Sequence, residues 1–92
     1  MGDSILIYQV VAEYRAWQSY NELLYKSNDM LLAVNEFVKE YNNQNSIVCM
    51  DGPEIVFIIY NSSTDIVYRY ASRHRQETVD IVLYELEQLL SL

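Results

Sequence analysis

The stretch Val10–Val38 reads VVAEYRAWQSYNELLYKSNDMLLAVNEFV, and the way its apolar residues repeat decides the fold. Val10, Trp17, Leu24, Leu31 and Val38 recur every seven residues. Tyr20, Val34 and Tyr41 form a second apolar column, and Ala16, Leu23, Met30 and Phe37 a third. The opposite column, Arg15, Glu22, Asp29, Glu36 and Asn43, is polar throughout. Columns kept apart in this way are the mark of an amphipathic helix. The spacing therefore predicts a helix up to about residue 43, capped by Asp3 or Ser4. Two segments fit less well: Ile5–Val11 is β-branched enough for a strand, and Lys26-Ser27-Asn28-Asp29 is where a helix would break. Unbroken, the helix would run roughly 60 Å. Nothing else in the chain is long enough to cover it, which points to a dimer or to a helix folded back on itself.

Downstream the pattern changes. Ser46–Met50, Ile55–Tyr60 and Asp65–Ala71 read as three strands of an antiparallel meander, joined by turns at Asp51-Gly52-Pro53-Glu54 and Asn61-Ser62-Ser63-Thr64-Asp65. A last helix is expected from about residue 73 to 90, with Val79, Val82, Leu83, Leu86, Leu89 and Leu90 on its apolar face. The expected fold is α+β: a long N-terminal helix with a candidate break near residue 27, a three-stranded meander and a C-terminal helix, in one domain over residues 1–92 with both helices on one face of the sheet. Ile55–Tyr60 is apolar on both sides and asks for cover on both. Val56, Ile58 and Tyr60, with Val10 and Trp17 of the first helix, are the expected dimer face.

Ninety-two residues supply one core, yet 51% of them are hydrophobic and nine are Tyr, a side chain favoured at interfaces. Thirteen carboxylates against six Lys and Arg give a net charge of −7, a field that repels nucleic acid and anionic membranes and attracts basic partners. The single cysteine, Cys49, excludes an internal disulfide and favours a reducing compartment. No signal peptide or apolar span is visible. The expectation is a soluble cytoplasmic protein that does not engage membranes.

Catalysis finds no support. Cys49 and His74 are the only thiol and imidazole, and a buried free cysteine behaves as a small hydrophobe. One Cys and one His cannot supply three or four N/S ligands to zinc, and Gly2 and Gly52 make no phosphate loop. The sequence thus predicts no enzyme, metal or cofactor.

Two surfaces remain. Arg69-Tyr70-Ala71-Ser72-Arg73-His74-Arg75 concentrates cations where a helix begins. Arg69, Arg73, His74 and Arg75 read either as an anion site for phosphate, nucleic acid or an acidic peptide, or as partners of nearby carboxylates. The carboxylates Glu22, Asp29, Glu36 and Glu40 on the first helix, and Glu77, Asp80 and Glu87 on the last, form acidic stripes suited to a basic protein partner. They serve equally as a solubilising surface. In composition only, the chain resembles small acidic phage-type inhibitors that mimic nucleic acid in a basic groove. The function expected is protein binding by an adaptor, chaperone or inhibitor, as a homodimer. The mimic and an arginine-based nucleic-acid or phosphate binder are the alternatives.

Overall fold

Asp29 begins a helix rather than interrupting one. Its carboxylate accepts from the Leu32 amide at 3.2 Å, and its carbonyl accepts from Ala33 N at 3.1 Å. The Ser27 hydroxyl accepts from the Asp29 amide just upstream. In this computed structural model, which describes residues 5–15, 19–46 and 52–91, the capped helix is α1 (Met30–Ser46). Two strands precede it, β1 (Leu6–Arg15) and β2 (Ser19–Ser27). After it come β3 (Glu54–Asn61), β4 (Ile66–Ala71) and α2 (Val79–Leu90). The strands make one antiparallel sheet in the order β2-β1-β3-β4.

The long N-terminal helix and the three-stranded meander are therefore corrected. Leu6–Arg15 and Ser19–Ser27 pair as two strands, and Ser46 ends α1 instead of starting a strand. The heptad column fails because its members do not share a face. Val10 is fully buried, Leu24 sits at a bulge where Val10 pairs with Tyr25 and Val11 with Leu23, and Leu31 is 52% exposed. Period two governs β1 instead: Tyr8, Val10 and Ala12 are core, with Tyr14 packed against them. The α+β class and the strands within 54–61 and 66–71 match the expectation from sequence; the last helix is present but starts at Val79 rather than near residue 73, so Arg73, His74 and Arg75 precede it instead of standing in its first turn. Asp3, Ser4, Trp17, Cys49 and the segment 47–50 lie outside the described residues.

Core-facing alternation places both helices against one side of the sheet. Tyr8, Val10 and Ala12 of β1 join Ile55, Phe57 and Ile59 of β3 in one cluster with Ala33, Val34 and Phe37 of α1 and Val82 and Leu86 of α2. Phe37 is the hub: its ring meets Phe57 edge-on at 5.7 Å, Tyr70 at 5.9 Å and Tyr41 at 5.6 Å. α2 is capped by Thr78, whose hydroxyl accepts from Ile81 N, and Asp80 in its first turn suits the positive end of the helix. None of the helices among the described residues is long and apolar enough to cross a membrane.

Candidate functional site

With both helices on one side, the other side of the sheet carries no helix. Register assigns it Ile7, Gln9, Val11, Glu13 and Arg15 from β1, Leu23 and Lys26 from β2, Glu54, Val56, Ile58 and Tyr60 from β3, and Val67 and Arg69 from β4. Its apolar residues run across all four strands. At the two edges, Leu23 is 54% exposed and Val67 59%. Val56 on the inner strand β3 is fully buried, and its neighbour Val11 on β1 is 8% exposed.

The burial of Val56 has a local cause. Arg69 on β4 reaches to Glu13 on β1, with guanidinium–carboxylate distances of 3.1 and 2.5 Å, and meets Glu54 at 3.4 Å. Val56 lies in register between Val11 and Ala71, so this bidentate pair arches over it. Arg15 adds a further contact to Glu54 at 3.4 Å, which relieves the cross-strand pairing of Glu13 with Glu54. The hydrogen bonds from Arg69 hold the Glu13 carboxyl below its usual range, against the opposing effect of burial. The same hydrogen bonds raise the Arg69 guanidinium.

A second constellation lies at the same end of β4, on the helix side of the sheet. Glu77 is only 2% exposed and precedes α2. Two elements fix it there. Asn42 of α1 accepts from its amide at 2.8 Å and donates to its carbonyl at 2.9 Å, and Tyr41 donates to the carbonyl of His74. Glu77 Oε2 accepts from the Ser72 hydroxyl and from Tyr70 at 3.0 Å. Tyr70 also lies 2.6 Å from Glu85 Oε1, which His74 Nε2 approaches at 3.3 Å. Burial first, then these two carboxylates, push the Tyr70 phenol far above its usual range. Glu77 Oε1 is buried with no hydrogen-bond partner among the described residues. Tyr70, Ser72 and Glu85 also help to line an open groove of about 660 Å³, with Arg73, Gln88 and Leu89 beside them.

The residues singled out from sequence disperse. Val56, Ile58 and Tyr60 do share the helix-free face, but Val10 belongs to the opposite, helix-covered side and is withdrawn from it. Glu22 is on β2 and Asp29 caps α1, so only Glu36 and Glu40 of the first stripe share a helix. Glu77 leaves the acidic surface for the interior, while Asp80 and Glu87 stay exposed on α2. Of the cation cluster, Arg69 is engaged by Glu13 and Glu54, His74 faces Glu85, and Arg73 lines the groove. Arg75 is exposed. Tyr70, Ser72 and Asn42 were not marked by sequence reasoning, because no local pattern joins β4, α1 and the start of α2. Compared with protein-family models, curated proteins and solved structures, the chain matches none.

Proposed function

We propose that this chain is a protein-interaction module whose helix-free sheet face docks a second copy of itself. The observation that carries the reading is the apolar surface left on that face, with Leu23 exposed at one edge, Val67 at the other, and half-buried Ile7, Ile58 and Tyr60 between them. Charge supports the choice of occupant. The described residues place three of the six cations there (Arg15, Lys26 and Arg69) against two of the thirteen carboxylates (Glu13 and Glu54). In a chain of net charge −7, this is the surface on which two copies repel each other least.

Size sets the strength. Four strands about 4.8 Å apart, paired over some eight residues of about 3.3 Å each, project roughly 500 Å². The smaller stable interfaces bury about 600 Å² per partner. The face falls a little short of that, so it is matched to a weak, concentration-dependent dimer that uses its whole width. Pairing of the sheets leaves the helix layer outward, where Glu36, Glu40, Asp80 and Glu87 favour a partner with a basic surface. The nucleic-acid-mimic alternative loses ground, because its first stripe is divided between β2 and α1.

Leu23→Glu and Val67→Glu test the docking face. Both positions are already half in water, so each variant keeps the wild-type circular dichroism and sediments as a monomer at concentrations where wild type pairs. Folded variants that associate as wild type does would place the interface elsewhere.

A further inference from the structure

We propose that His74, Glu77 and Glu85, brought together between the end of β4 and α2, bind one divalent transition-metal ion such as Zn²⁺. Each offers one ligand atom, and the three atoms lie within 4.8 Å of one another. An acidic pair beside a histidine is common on protein surfaces and would mean little alone. The distinguishing feature is Glu77. Its carboxylate is nine-tenths and more buried, its Oε2 is occupied by Ser72 and Tyr70, and its Oε1 has no partner among the described residues. A buried carboxylate oxygen without a donor costs folding free energy unless a cation or proton meets it.

The hydrogen-bond inventory sharpens the point. Tyr70 carries one O–H proton yet lies within hydrogen-bond distance of both Glu77 Oε2 and Glu85 Oε1. It can donate to only one of them at a time. The two carboxylates therefore present more acceptor oxygens than Ser72, Tyr70 and His74 have protons to fill. A cation held by His74 and the two carboxylates satisfies the excess. Tyr70 and Ser72 then act as positioning residues, fixing the ligand carboxylates as groups around metal sites do.

Geometry and ligand type set the ion. Bonds of about 2.0–2.2 Å put neighbouring donors about 3–3.5 Å apart, so the widest pair requires a closure of roughly 1.5 Å. His74, half exposed on the bend before α2, has room to supply it. An imidazole with two carboxylates favours zinc and its first-row neighbours over magnesium or calcium, which prefer oxygen alone. Glu77 forms the buried floor, and His74 and Glu85 form the solvent side, where water completes the coordination.

The test is calorimetric titration of Zn²⁺ into the full chain, in a Cys49→Ser background that removes the thiol, with Mg²⁺ as control. The expected result is one saturable Zn²⁺ site, no comparable Mg²⁺ binding, and a Tm rise of roughly 10 °C or more at a hundred times Kd. His74→Ala and Glu85→Gln, both at partly exposed positions, weaken Kd by about 100-fold or more. Tyr70→Phe weakens it about tenfold, in the range for groups that orient ligands. Glu77→Gln abolishes binding if it folds; should it unfold, the first two variants decide. An absence of Zn²⁺ binding, or binding undiminished in His74→Ala and Glu85→Gln, would overturn the proposal.

Discussion

Asp65 holds a φ of 59°, the left-handed region that costs an ordinary L-residue about 1–2 kcal/mol. The β3–β4 turn is built to keep it there. The Asn61 side chain accepts from the amides of Ser63 and Thr64, the Asn61 carbonyl accepts from Asp65 N at 2.8 Å, and Tyr60 donates to the Asp65 carboxylate at 2.8 Å. That last bond also raises the Tyr60 phenol. Asp65→Val keeps the conformation but loses both the tolerance for it and the bond from Tyr60. We expect a loss of about 2 kcal/mol in urea unfolding. At the same scale, Glu13 links stability to pH. Its folded carboxyl is depressed by Arg69, so its contribution is complete above the unfolded value of about 4.3 and fades as pH falls through the lower folded value. The urea midpoint should drop as pH falls below about 4.3, and Glu13→Gln should flatten that drop. An unchanged pH profile in Glu13→Gln would remove the pair from the stability of the sheet.

Among the elements, the N-terminal half was the hard reading. A seven-residue repeat on a strand moves a side chain to the other face at each step, so a heptad column has no meaning there. In this chain β1 is an inner strand with apolar residues on both sides, Val10 inward and Val11 outward, which blurs the alternation that would have marked it. The β-branched run at Ile5–Val11 and the breaker at Ser27-Asn28-Asp29 carried the true signal. β3, β4 and α2 were legible because turn residues bound them and Leu and Val recur at helical spacing in α2. The metal-type cluster was hidden twice over: it joins separated elements, and counting only N and S ligands leaves carboxylates out. Its scaffold is testable without metal. Asn42 pins the backbone of Glu77 with two hydrogen bonds, so Asn42→Ala should cost about 1–3 kcal/mol. Faster amide exchange at Glu77, with protection kept in the sheet, would locate that loss; unchanged stability would mean the segment is held by other contacts.

For the whole molecule, two helices on one side leave a sheet whose other side is half dressed. The Arg69–Glu13 arch covers Val56, while Leu23 on the β2 edge and Val67 on the β4 edge reach solvent. Apolar side chains left at both edges of an uncovered sheet face suit association. Ile58 stands at its centre, so Ile58→Glu should abolish pairing while the core of Phe37, Phe57 and Leu86 stays intact. Val10→Glu, on the helix side, should instead unfold the chain. The most direct measurement is the solution mass of the wild-type chain by light scattering across a wide concentration range. A mass rising from the 10.9 kDa chain toward twice that value, and staying at one chain in Ile58→Glu, is the predicted result. A wild-type mass of one chain throughout, or a dimer that Ile58→Glu leaves whole, would contradict the assignment of the helix-free face.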